Sequence, residues 1–224
     1  PYTTVATGVN GTSYSDTGLP AETTYYYVVS ALIGGGQSFD SSEIGVTTPV
    51  VHTMLPIADS YVESGGNANV NYGSSTNLLV KNNITISTRN TYLMFDVHTL
   101  TNAQSATVTL VPNRVDDTTV KMYYELASPN WTENGITWNN QPGGTGIFFA
   151  TNTVAVGVPV VLDVTSAAVS AATNGGLLSI RITQPTNTLN GLIQFCSKES
   201  TSPALRPVLT YVLPANTPPM LSAI

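Results

Sequence analysis

Arg89-Asn90-Thr91-Tyr92-Leu93-Met94-Phe95-Asp96-Val97 alternates with period two. Thr91, Leu93, Phe95 and Val97 fall on one side, and Asn90, Tyr92, Met94 and Asp96 on the other. Successive side chains of a strand point to opposite faces, so the pattern predicts a sandwich strand with one buried face. The Leu93/Phe95 side is expected inside. The other side, with an aromatic, a thioether, an amide and a carboxylate, is expected outside, either wet or holding a polar ligand.

Working outward, similar short runs recur. Ile57 to Glu63, Thr76 to Lys81, Ser105 to Pro112, Thr118 to Ala127, Thr151 to Val156, Pro159 to Val164, Leu177 to Gln184, Gly191 to Ser197 and Arg206 to Val212 read as strands. The Ala-rich stretch Thr165 to Thr173, stopped by Asn174-Gly175-Gly176, reads as the one helix. About ten short strands with frequent turns predict an all-β fold, an antiparallel β-sandwich of jelly-roll type. This domain is placed at residues 57–213. Residues 50–56, bracketed by Pro49 and Pro56, read as a linker. Residues 214–224, with Asn216-Thr217-Pro218-Pro219, read as a linker into a following module.

Composition narrows the class. Only 9% of the 224 residues are charged, the net charge is -6, and Cys196 is the single cysteine. A disulfide framework and a cysteine metal site are thereby excluded. The negative balance argues against nucleic acid as a partner. No apolar run approaches the ~20 residues of a membrane span. The chain opens on Pro1 and reads as a piece of a longer secreted or cell-surface protein.

Residues 1–49 contain no Lys or Arg. Tyr2 to Ala6, Ser13 to Asp16, Thr24 to Ala31 and Ser41 to Thr48 are expected as strands, with Gly34-Gly35-Gly36 as a turn. Leu19-Pro20-Ala21-Glu22-Thr23-Thr24-Tyr25-Tyr26-Tyr27-Val28-Val29-Ser30-Ala31 resembles the C-terminal half of a fibronectin type III domain. The resemblance implies Tyr25 as a structural corner tyrosine, with Val29 and Ala31 in a core. The first half of such a domain is absent from these residues.

The second domain carries an ordered set of motifs. These are Asp59-Ser60-Tyr61-Val62, Asn71-Tyr72-Gly73, Tyr92-Leu93-Met94-Phe95-Asp96, Trp131-Thr132-Glu133 with Ile136-Thr137-Trp138-Asn139, Asp163-Val164, and Phe195-Cys196-Ser197-Lys198-Glu199 with Arg206-Pro207. The set resembles a DNRLRE-type domain similar to carbohydrate-binding module family 96, over roughly residues 54–213. That resemblance implies a non-catalytic β-sandwich appended to polysaccharide-degrading enzymes, alginate lyases among them. Met94 stands where such domains often carry Lys or Arg.

An acidic polysaccharide, alginate or another uronate-containing glycan, is therefore the expected partner, with neighbouring modules of the same polypeptide. Lys81, Lys121 and Arg181 fall at outward phases, as do Tyr92 and Tyr123. A guanidinium offers a fork to a carboxylate, an ammonium a point charge, and a tyrosine ring a stacking face. Arg89 and Lys198 join this candidate ligand set. Trp131 and Trp138 are expected to plug the sandwich, and Glu199 and Arg206 to pair across its last strands. Asp59 and Asp163 are candidate ligands for calcium, which takes hard oxygen donors. His52 and His98 have no nucleophile or carboxylate placed around them as a triad, and no His-Glu-x-x-His occurs, so no catalysis is expected. The competing reading is a structural or adhesive module of a cell-surface protein or filament.

Overall fold

The computed structural model describes residues 1–151 and 153–214. Two compact units make up the chain, one holding Pro1–Val50 with residues from Leu213 on, the other Val51–Val212. The expected linker at Asn216 to Pro219 lies outside the described residues.

In the first unit, strand β1 (Thr24–Tyr27) pairs antiparallel with β4 (Ile44–Thr47). Between them β2 (Leu32–Ile33) and β3 (Gly36–Gln37) form a small hairpin. The expected strands at Tyr2 to Ala6 and Ser13 to Asp16 are not formed. Nor is the expected core, since no described residue of Pro1–Val50 is buried and Val29 is 73% exposed. The reason is simple: a single layer of short strands has no facing layer to bury against. Tyr25 is half-buried, its ring 6.4 Å from that of Tyr27. It is Tyr27 whose hydroxyl donates to a distant side chain, Asp16 Oδ2, at 3.0 Å.

The second unit contains β5 (Val51–Met54), β6 (Ala58–Glu63), β7 (Asn77–Val80), β8 (Arg89–Asp96), β9 (Ser105–Leu110), β10 (Pro112–Val115), β11 (Met122–Ala127), β12 (Gly144–Thr151) and β13 (Val160–Asp163). Helix α1 (Thr165–Thr173) follows, then β14 (Leu177–Thr183), β15 (Ile193–Cys196) and β16 (Val208–Val212). All pairings are antiparallel. A five-stranded sheet runs β12-β11-β14-β8-β6, a four-stranded sheet β13-β9-β16-β5, and a three-stranded sheet β10-β15-β7. Leu93 and Phe95 of β8, Ile180 and Ile182 of β14, Val108 of β9, Leu209 of β16, Val80 of β7 and Phe195 of β15 share one buried cluster. All three sheets thus contribute to one core, as a β-sandwich requires.

Three segments differ from expectation, the first being β10, a strand over residues 113–115 where none was expected. The stretch 50–56 is not only a linker, because β5 pairs with β16 and completes a sheet edge. β12 occupies Gly144–Thr151 instead of beginning at Thr151, its three glycine-and-threonine residues masking the strand that Ile147-Phe148-Phe149 form beside β11. The helix spans Thr165–Thr173 as expected. Asp163 precedes the N-cap Val164 and accepts hydrogen bonds from the Thr165 amide at 2.9 Å and hydroxyl at 2.7 Å. Gly176 ends the connection at φ 75°, where a Cβ would collide with the His98 ring.

Candidate functional site

Alternation in β8 places Leu93 and Phe95 in the core, but the opposite side is not outside. Tyr92 is 0% exposed, and Asn90 and Met94 are buried with it. The excursion from Ser128 to Pro142 covers them. Trp131 and Trp138 pack with Ile136 onto Val62, Tyr92 and Ala127. The Trp131 indole meets the Tyr92 ring edge-on at 5.8 Å, and its Nε1 donates to Ser179 Oγ of β14 at 2.9 Å. The Tyr92 hydroxyl donates to the Pro142 carbonyl at 2.6 Å, and Gln141 Oε1 lies 2.9 Å from it. Tyr92 is therefore a buried anchor of this cover, with no free ring face for a ligand. The tryptophans pack on a face of the sheet rather than into one end of the sandwich.

The loop Asn71-Tyr72-Gly73 holds the cover down. Asn71 Nδ2 donates to the carbonyls of Glu133 and Ile136, both at 2.7 Å. Gly73 lies so close that a Cβ would stand 2.3 Å from the Glu133 carbonyl oxygen. Only glycine admits that approach.

What the cover leaves open is a strip on β11 and β14. Directly opposed residues share a face, and the ladder opposes Tyr123 to Thr183, Glu125 to Arg181, and Arg181 to Tyr92. Tyr123, Glu125, Arg181 and Thr183 are partly exposed. The exposed Lys121 sets its ammonium over the Tyr123 ring, 5.0 Å from the centroid. Arg181 is not a bare cation: Nη1 lies 3.2 Å from Glu125 Oε2, to which the Thr183 hydroxyl also donates at 3.3 Å. Its Nε is buried without a partner. Beside the strip, Trp131, Asn130, Thr132 and Asn140 line an open groove of about 530 Å³.

The other expected cations are elsewhere. Lys81 opposes Arg89, and Arg89 has the phase of Thr91 and Leu93, the reverse of Tyr92 and Arg181. The single face expected from Lys81, Tyr92, Lys121, Tyr123 and Arg181 is thus divided, with Lys81 on the other phase. Arg89 is tied at 2.6 Å to Glu63, whose other oxygen accepts from Tyr72 at 3.2 Å. The Tyr72 ring stacks on Tyr61 at 4.1 Å. Burial pushes the Glu63 carboxyl up, but the Arg89 and Ser87 hydrogen bonds outweigh it and hold the group below its ordinary range.

Lys198 is partly exposed, but its ammonium is committed to carboxylates. Its ammonium lies 2.9 Å from Glu133 Oε1 and contacts Glu199. Its backbone amide donates to Asp59 Oδ2 at 2.8 Å, and the Asp59 amide donates to Glu133 Oε1 at 2.9 Å. Burial raises the Asp59 carboxyl well above the ordinary aspartate range, against the donated Lys198 amide. Burial also pushes Glu199 up, but the Lys198 and Ser197 hydrogen bonds leave it lowered. The expected Glu199–Arg206 pair is not formed among the described residues. Arg206 donates instead to the Ser200 carbonyl, through Nε at 2.9 Å and Nη2 at 2.6 Å, and so closes the turn before β16. Nor do Asp59 and Asp163 form a shared cation site: Asp163 is engaged at the start of α1, and Asp59 is grouped with Glu133 and Glu199.

Reasoning from the sequence missed Glu125, Thr183, Asn71 and Glu133 as members of these arrangements. Glu125 and Thr183 carried a usable signal, since they keep the phase of Tyr123 and Arg181. Glu133 carried no periodic signal, because loop residues have no phase, and stood out only as part of the Trp131-Thr132-Glu133 motif.

Among the described residues no helix is long and apolar enough to cross a membrane. No curated protein matches the chain. The family model for carbohydrate-binding module family 96 matches residues 50–211.

Proposed function

Because the chain belongs to carbohydrate-binding module family 96, a family of non-catalytic modules that bind carbohydrate, we propose that its ligand is an acidic polysaccharide of the alginate type. The open strip on β11 and β14 is the binding face. The observation that carries this reading is the joint placement of Lys121, Tyr123, Arg181 and Thr183 on one uncovered face of adjacent strands. Tyr123 offers a ring to a sugar, Thr183 a hydroxyl, and Lys121 and Arg181 positive charge to a uronate carboxylate. The Trp131 groove extends the same surface with an aromatic edge and two amides.

Glu125 competes with the ligand for Arg181. It tempers affinity and makes the strip only weakly cationic. Each exposed cation–carboxylate contact contributes on the order of 0.2–1 kcal/mol. Binding to a single sugar is then weak, and binding to a polymer gains from repeated engagement along the chain. In a secreted protein such a module would hold an attached polysaccharide-degrading domain at its substrate.

Affinity electrophoresis through gels containing alginate, pectin or a neutral glucan tests this. Retardation is expected in the uronate gels and should fade with added salt. Lys121→Ala and Arg181→Ala should each weaken binding by roughly two- to five-fold. Glu125→Gln should strengthen it, because it releases Arg181. Equal retardation in alginate and neutral glucan, or an unchanged Lys121→Ala/Arg181→Ala double variant, would overturn the reading.

A further inference from the structure

With its carboxylates ionised, the Asp59 cluster carries more negative charge than its own cation balances. Asp59, Glu133 and Glu199 each bring a carboxylate oxygen to within 4.8 Å of the others. Among the described residues, Lys198 is the one cation in contact with them. Three carboxylates against one ammonium leave two negative charges uncompensated, and Asp59 is only 1% exposed. A buried carboxylate needs a proton, a paired charge or a metal. The N–H and O–H donors around the cluster do not fill the gap either, so without a cation only a proton held between Asp59 and Glu199 relieves it. Asp59 Oδ1 and Glu199 Oε2 are both buried with no partner. In a folded protein nearly every buried polar atom is satisfied, so two orphaned oxygens in one cluster point to a missing occupant.

We propose that this cluster is a calcium site, with Asp59, Glu133 and Glu199 as its protein ligands. A divalent cation brings the local charge to zero beside Lys198 and satisfies both orphaned oxygens. All three donors are hard carboxylate oxygens, the set calcium prefers. Calcium–oxygen distances of about 2.3–2.6 Å let one ion bridge oxygens up to roughly 5 Å apart, whereas magnesium at about 2.0–2.1 Å spans roughly 4 Å. A bound of 4.8 Å on these separations lies within the span of the larger ion. Lys198 keeps Glu133 Oε1, while the oxygens facing away from it take the metal.

The position gives the ion a role. Asp59 belongs to β6, at the edge of the five-stranded sheet. Glu133 belongs to the Trp131–Trp138 cover, and Glu199 to the turn that follows β15 of the three-stranded sheet. One ion would therefore tie the sheet edge, the cover and the second layer.

The test uses the chain stripped with EDTA and then titrated with calcium chloride. Calorimetry should show one equivalent bound, and the melting temperature should rise to a plateau, with magnesium less effective. Terbium should bind in place of calcium and luminesce on tryptophan excitation, because Trp131 stands two residues from Glu133. Glu199→Gln and Glu133→Gln should each lower calcium affinity tenfold or more while keeping the near-ultraviolet circular dichroism of the parent. No heat and identical melting in EDTA and calcium would overturn the proposal. So would undiminished calcium binding by the Glu133→Gln/Glu199→Gln double variant. None of these readouts involves a glycan, so the metal site and the sugar-binding strip stand or fall separately.

Discussion

At the scale of the residue, Asn71 does the most with the least. One amide nitrogen satisfies two carbonyls of the excursion that covers Tyr92. Asn71→Ala would strand both, and the loss of two hydrogen bonds is expected to cost roughly 2 kcal/mol. Urea denaturation followed by tryptophan fluorescence reads this directly. Glu63 makes a second prediction. Its carboxyl titrates below the ordinary glutamate range when folded, because the Arg89 and Ser87 hydrogen bonds outweigh burial. A depressed folded value means the unfolded chain binds the proton more readily. The contribution of Glu63 is thus complete above the unfolded value of about 4.3 and is lost as pH falls through the folded one. Stability measured by urea between pH 6 and pH 3 should fall, and Glu63→Gln should fall less steeply.

At the scale of the element, β8 shows what a sequence can and cannot reveal. Its alternation correctly separates Leu93 and Phe95 from Tyr92 and Met94, because that separation is a property of one strand. Whether the second side meets water depends on what packs there. That is decided by residues 128–142, an irregular segment with no periodicity to read. The same limit divided the candidate site. Tyr123 and Arg181 share a face because they sit on strands that turn out to be neighbours, and Lys121 joins them by lying over the Tyr123 ring. Lys81 looked equivalent, yet its partner is Arg89, and phase between strands is set by pairing that no single strand encodes. α1 was legible because its alanine content and its glycine stop are local signals. β5 was not, since a four-residue strand after a proline differs from a linker only once β16 lies beside it.

At the scale of the whole molecule, the two units differ in kind. Val51–Val212 has a core drawn from three sheets, while no described residue of Pro1–Val50 is buried. Backbone amides of the first unit should exchange with deuterium far faster, and limited proteolysis should cut there first and leave a fragment beginning near Val51. Mass spectrometry of the digest checks the order of cleavage, and uniform protection across both units would contradict it. The five-stranded sheet has its own asymmetry. At the β6 edge, the Asp59 amide is already taken by Glu133. At the β12 edge, Gly144–Thr151 carries no charge across eight residues, and Ile147 is 51% exposed. A sheet open at both edges can stack copies without end, but one with a single open edge can join a second copy only edge to like edge. Association through this sheet is therefore expected at the β12 edge, where a second copy would join edge to like edge as a two-fold pair.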